Sequence, residues 1–579
     1  MTGAVSVRLH HGGPQGAKPK GEWWRTFWRA SKSGEADRSL SCRAMNGSRL
    51  FANSWRVVLL FWFLHTGLVA TLYAQAQTLP KGLFTEARVA AGLEQSKARC
   101  ATCHLYPEPT VLDRETWQSH VLPWMMMISG LSPELLPKGR EGELIKQSGG
   151  VLLSPGIPKE EWWNIVAYYL KSAPVSLATS GPPRLSIATE LKGFKAHALP
   201  LKSADPMALL VQINEKEQRL YVGDGQRRAL EVFSAKGETL ASLPLNNVPV
   251  SLRVGNDGLY VTDIGRFSPS QEARGSLLFF EGSGTNWAAA RPLLPDLTRP
   301  VHASFADMNG DGRQDVVVSM FGWYGGRLSW FANTGGGAYA EHELHPKPGA
   351  LRTEIRDLNG DGKPDIAALF AQATEGMIFF FNRGDGEFES RIIFQKHPAF
   401  GHTYFEMADF DGDGKPDLLV TNGDSGDYES PPKPYHGIRI YLNRGGDKFE
   451  EKVFIPLHGA CKAVARDFDR DGDLDIAVIS YYPDYRNAPR ESFVLLENEG
   501  SFRFSASTFP NGTDGRWLTM DAGDLDGDGD VDIVLGAVRK GPGRSAYVPV
   551  ALDTAWRQSG LTVMLLENFA STNALKKLP

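Results

Sequence analysis

One nine-residue pattern returns five times in the second half of this chain, and no other feature limits its fold as tightly. Asp307-Met-Asn309-Gly-Asp311-Gly-Arg-Gln-Asp315 recurs as DLNGDGKPD from Asp357, DFDGDGKPD from Asp409, DFDRDGDLD from Asp467 and DLDGDGDVD from Asp524. The intervals are 50, 52, 58 and 57 residues, a period in the range of propeller blades. Each copy runs into an apolar stretch: VVVSM, IAALF, LLVTN, IAVIS and IVLGA. A later aromatic-rich segment containing Asn closes each unit, as in LSWFANTGGG, IFFFNRGDG and IRIYLNRGGD. Short β runs between turns, repeated at one phase, predict a radial all-β array.

The loop chemistry is that of a hard cation. Oxygens at positions one, three, five and nine converge on one ion when glycine at position six permits a sharp turn, and a carbonyl at seven adds a ligand. An EF-hand needs a bidentate glutamate at position twelve and helical flanks, whereas these loops end in Asp and are flanked by strands. The units resemble the FG-GAP or VCBS repeats of integrin α-chain β-propellers. That resemblance implies calcium at about five sites. The implied ligands are Asp307, Asn309, Asp311 and Asp315, then Asp357, Asn359, Asp361 and Asp365. The third and fourth loops supply Asp409, Asp411, Asp413 and Asp417, and Asp467, Asp469, Asp471 and Asp475. The last supplies Asp524, Asp526, Asp528 and Asp532. Two earlier units, Ala208 to Leu245 and Val250 to Leu294, lack the loop but scan as blades. The count is then seven, with six and eight as the neighbouring registrations, over residues 196–570.

Upstream, residues 100–104 read Cys-Ala-Thr-Cys-His, the C-x-x-C-H pentapeptide that attaches haem c. Zinc would want two more Cys or His at ligand spacing, and only His120 is close. Helices are predicted over 84–97, 114–127 and 158–172, the last with Trp163, Ile165, Val166, Tyr169 and Leu170 as its apolar stripe. Helix, attachment motif, helices and a closing aromatic helix resemble the cytochrome c family over 84–174. The resemblance implies covalent haem on Cys100 and Cys103 with His104 as the proximal iron ligand, and a Met as the usual sixth. Met125 follows Leu122-Pro123-Trp124 and is the first choice. Met126, Met127, His120 or an open position are the alternatives. The sequence therefore predicts a small all-α cytochrome c domain over 77–175, a linker over 176–195, and an all-β, seven-bladed propeller.

Residues 57–73 are apolar, follow Arg49 and Arg56, and end in Ala74-Gln75-Ala76, a signal-peptidase pattern. With a start at Met45, they predict export to the periplasm of a bacterium or beyond, the alternative being an uncleaved anchor. Four cysteines in 579 residues exclude a disulfide framework: two belong to the haem motif, Cys42 precedes the signal, and Cys461 reads as a small core residue. A net charge of −5 offers no reason to expect nucleic acid.

No GxSxG, HExxH or Rossmann fingerprint is present. The leading expectation is an exported electron-transfer protein whose propeller docks a redox partner or a small ligand. A propeller oxidoreductase feeding its own haem is the second, and an adhesion scaffold with accessory haem the third. Five residues before each loop stand His302, Arg352, Tyr404, Lys462 and Thr519. If the first strand of each blade lines the channel, they share one level, either as a cationic and aromatic ring or as ordinary strand-end residues.

Overall fold

The apolar runs after each loop contain no polar alternation, so each must be covered on both faces. In the computed structural model, which describes residues 79–177, 182–428, 430–541 and 548–569, they are the second strands of propeller blades. Asp315–Met320, Asp365–Phe370, Asp417–Asn422, Asp475–Ser480 and Asp532–Ala537 are buried at every position, sandwiched between neighbouring sheets. Outer strands such as Ala338–His345 and Glu387–Gln395 carry the exposed charges.

Seven antiparallel sheets result. Their inner strands are Ala208–Asn214, Pro249–Val254, Pro300–Ala306, Ala350–Arg356, His402–Ala408, Ala460–Arg466 and Trp517–Gly523. Each touches the next, and the seventh returns to the first. Blades one and two turn between their first two strands over residues 215–218 and 255–257, where the later blades carry the nine-residue loop. Closure is made by the chain's earlier part: Phe194–Ala198 pairs antiparallel with Val563–Asn568 as the outer strand of blade seven. Ile187–Ala188 adds in parallel to Phe504–Ser507 of blade six. Part of the stretch read as linker is therefore propeller. Those two strands are short and half-exposed, so they leave little hydrophobic pattern to read.

The helices begin where caps permit. Thr85 accepts the amide of Arg88 ahead of Glu86–Cys100, and Asp113 accepts that of Thr116 ahead of the run from Arg114 to Ile128. That run contains a π turn at Trp117–Val121, next to Pro123, which has no amide to give the helix. Lys159–Ser172 closes the unit, and its fully buried tryptophan is Trp162 rather than Trp163. A fourth helix, Arg140–Gln147, follows Gly139 at φ 77° and was not legible as a helix in the sequence. Gly92 lets Glu86–Cys100 approach Lys159–Ser172: a Cβ there would lie 1.9 Å from the carbonyl oxygen of Asn164.

The helical unit and the propeller share core. Ala399 and Tyr428 pack with Leu112, Trp117 and Trp162, while Trp323 and Tyr324 pack with Met127, Ile145 and Val151. Tyr435 Oη donates to the carbonyl of Val111 at 3.0 Å, and Ser270 Oγ to Glu141 at 3.0 Å. All these propeller residues sit where second strands pass to third strands or where one blade passes to the next. The helices therefore rest on the face opposite the Asp-rich loops.

The predicted start at Met45, the apolar run 57–73, the cleavage site after Ala76, and Cys42 lie outside the described residues. Among the described residues no helix is long and apolar enough to cross a membrane.

Candidate functional site

Position one of each Asp-rich loop organises the turn. Asp307 Oδ1 accepts the amides of Gly310 and Asp311 at 2.8 and 3.1 Å, and its Oδ2 accepts that of Gly312 at 2.8 Å. Asp357 repeats these contacts, and Asp409 and Asp524 keep those to the two glycines. Gly310 and Gly312 hold φ of 75° and 80°, a region closed to most side chains.

Position nine does something the sequence did not reveal. Asp417 is fully buried, with one oxygen accepting the amide of Phe410 at 2.9 Å and the other that of Asn443 at 2.7 Å. Asp315, Asp365, Asp475 and Asp532 each take the equivalent two amides, one from the loop and one from the Asn at or near the end of the third strand. Two of those Asn side chains also cross between blades: Asn382 Nδ2 donates to Met308 O and Asn568 Nδ2 to Phe468 O. Each ninth-position carboxylate is thus a staple first.

Carboxylate oxygens of positions one, three and nine lie within 4.8 Å of one another in the loops Asp409–Asp411–Asp417, Asp467–Asp469–Asp475 and Asp524–Asp526–Asp532. The fifth position stands apart from these triads. Asp311, Asp361 and Asp413 turn to the cationic side chains of Arg313, Lys363 and Lys415. Burial, aided by the neighbouring carboxylates, pushes Asp475 and Asp532 up to about 7. Three acids gathered around one point in this way fit a divalent cation bound through oxygen.

On the helical unit, Cys100 ends its helix half-buried, while Cys103 is exposed. Burial pushes the Cys100 thiol up to about 11. His104 Nδ1 stands 3.0 Å from the carbonyl of Leu105. A carbonyl only accepts, so the proton sits on Nδ1 and Nε2 is the nitrogen with the lone pair, as in metal-ligating histidines. The side chains proposed for the sixth position separate. Met127 is buried against Trp323 and Tyr324, and His120 stacks on Tyr428 at 6.0 Å. Met125 and Met126 pack into the cluster that contains Cys100.

The channel reading of the inner strands holds in phase. In blades five to seven the intervening residues Phe405, Met407, Cys461, Ala463, Leu518 and Met520 are buried core. Glu406, Arg466 and Asp521 alternate with them and reach solvent. Arg352 Cζ lies 4.8 Å, and Lys462 Nζ 4.9 Å, from the centroid of the Tyr404 ring. Thr519 departs from the ring: its hydroxyl donates to Ala208 O at 2.8 Å and ties blade seven to blade one. His302 Nδ1 accepts the amide of Thr353 at 3.4 Å, and burial, with Arg352 and Lys462 nearby, holds the imidazole neutral. Burial pushes the Lys462 ammonium down to about 8.

Sequence reading missed the next level down, two residues further along each strand. Glu354 lies between Arg352 at 3.5 Å and Arg356 at 3.4 Å, Glu406 holds Arg466, and Asp521 accepts the amide of Ile213 at 2.8 Å. The period of two would have found it.

The FG-GAP-like repeat family matches residues 357–420 and 467–535, two stretches that contain four of the five loops between them in whole or part. No curated protein matches the sequence. Among solved structures, the chain is similar to BBS1N in its complex with ARL6DN (12% identity, 67% of this chain and 99% of that one, TM-score 0.39). It is also similar to a catalytically inactive virginiamycin B lyase from Staphylococcus aureus with quinupristin (12%, 64% and 99%, TM-score 0.41). A third is the periplasmic gluconolactonase of Pseudomonas aeruginosa (12%, 51% and 82%, TM-score 0.35).

Proposed function

We propose that this chain is an exported haem c protein for electron transfer, in which an FG-GAP propeller serves as the docking scaffold and calcium braces its loops. The observation that carries this reading is the Cys100–His104 turn, with the His104 tautomer set by Leu105, on a helical unit that shares its core with the propeller. Cys100 and Cys103 would hold the group through thioethers, His104 Nε2 would ligate its iron, and Met125 is favoured as a second protein ligand. Met127 and His120 are engaged with the propeller, which supports that choice. A haem so held supplies a one-electron iron couple.

The chain's own residues do the rest. Trp117, Tyr106 and Tyr169 form an aromatic wall beside Cys100, and Tyr169 Oη donates to Pro107 O at 2.7 Å, bracing the segment that follows His104. The Asp triads would hold calcium, joining the first loop to the start of the second strand and so to the Asn of the third. The ring of His302, Arg352, Tyr404 and Lys462 lends support to a second reading, in which the propeller binds a substrate whose electrons pass to the helical unit.

The test is maturation in a host that attaches haem outside its cytoplasm, followed by denaturing electrophoresis and optical spectra. Haem that stays with the denatured chain, and is lost in Cys103→Ser, is the expected result. A chain that carries no covalent haem under those conditions would end the electron-transfer reading.

A further inference from the structure

Lys462 is a buried cation without a direct partner. It is 6% exposed, and its Nζ makes no hydrogen bond or ion pair among the described residues beyond resting over the Tyr404 ring. Arg352, on the other side of blade five in chain order, leans on the same ring, and its Nε is buried without a partner. Two like charges on one ring repel, and the buried Lys462 ammonium is also desolvated.

The acids nearby favour the Lys462 ammonium from a distance, Asp521 most, but none of them pairs with its Nζ. Glu354 is shared between Arg352 and Arg356, Glu406 holds Arg466 and the amide of Ala465, and Asp521 holds the amide of Ile213. At the level of the ring itself every group is a donor. Lys462 and Arg352 are cationic, and the Tyr404 hydroxyl stays protonated because burial raises its pKa. With its Nδ1 accepting the Thr353 amide, His302 presents Nε2–H. The ring stands at the end of the channel on whose face the helices rest, away from the Asp-rich loops.

We infer that His302, Arg352, Tyr404 and Lys462 form a binding site for a small oxyanion, a carboxylate or a phosphate group, inside the propeller channel. An anion there would pair with Lys462 and oppose its repulsion with Arg352. The inference does not depend on haem, because the donors all belong to the propeller.

Titration calorimetry on the full chain tests it, with inorganic phosphate in one arm and succinate in the other, at ionic strength held constant with sodium chloride. Saturable binding of either is expected, and the stronger arm assigns the class. Lys462→Met should weaken it by about thirtyfold or more, as loss of one partner in a buried charged contact does. Its melting temperature without anion should be equal or higher, because a desolvated charge has been removed. Tyr404→Phe, which keeps the ring and removes one donor, should weaken binding severalfold and serves if the first variant does not fold. Saturation by neither anion, or affinities unchanged in the variants, would overturn the site.

Discussion

The staple seen in an Asp-rich loop and the ion proposed for it can be separated by two substitutions in blade five. Asp417 accepts two backbone amides in a fully buried setting, at 2.9 and 2.7 Å. A hydrogen bond to a charged group contributes about 1.5–3 kcal/mol, and the orphaned donors add their own penalty. Asp417→Ala should therefore cost about 3–5 kcal/mol, with or without metal. Asp411 is exposed, and its contacts are the amide of Asp413 at 3.3 Å and Arg444 at 3.4 Å, both weak in water. Its worth should appear only through a bound ion. With dissociation constants of about 10⁻⁴–10⁻³ M and about 2 mM calcium, one site contributes roughly 0.6–1.8 kcal/mol by mass action. Asp411→Ala should thus be close to wild type in chelator and short by that amount in calcium. Urea unfolding of wild type and both variants, each in calcium and in EDTA, makes the four comparisons. An Asp417→Ala protein as stable as wild type in EDTA would refute the staple. An Asp411→Ala protein with an undiminished response to calcium would refute the ion.

Two further outcomes follow from buried groups. Burial, with Lys433, His402 and Lys396 close by, pushes His397 down to about 3, so it is neutral in the fold and protonates near 6.5 when unfolded. The unfolded chain then binds the extra proton between those values, and stability present above about 6.5 is lost as pH falls. His397→Gln should therefore gain on wild type as pH drops from 7 to 5, read as the difference in urea midpoints; a constant difference would be inconsistent with a buried neutral imidazole. Gly92→Ala should force the first and last helices apart, at a cost of about 1–3 kcal/mol or more. Limited proteolysis should then cut the helical unit sooner while the propeller's thermal transition stays put, and unchanged protease resistance would refute the close approach.

What the sequence alone determined is whatever repeats or is local. Five loops at one phase specified the blades, because turn chemistry and the strand that follows are written in neighbouring residues. The unbroken apolar runs from Val316, Ile366, Leu418, Ile476 and Ile533 announced strands buried on both faces. The Cys100–His104 motif and the burial of Cys461 were legible for the same reason, as was the alternation that puts Tyr404 and Lys462 on the channel side. Tertiary structure alone decided the relations between distant segments. Phe194–Ala198 becomes the outer strand of the last blade only because ring closure brings residues 194 and 568 together. Whether a ninth-position Asp is a ligand or a staple depends on an Asn up to 36 residues away that donates its amide. Thr519 left the ring because the carbonyl of Ala208, a blade away across the closure, takes its hydroxyl. Likewise, Met127 and Met125, two residues apart on one helix, face different cores. A step of two residues turns a helix by about 200°, and only the propeller packed against one side shows which is which. Local pattern encodes which elements form; the partners that satisfy their buried polar groups and cover their apolar faces come from closure and packing.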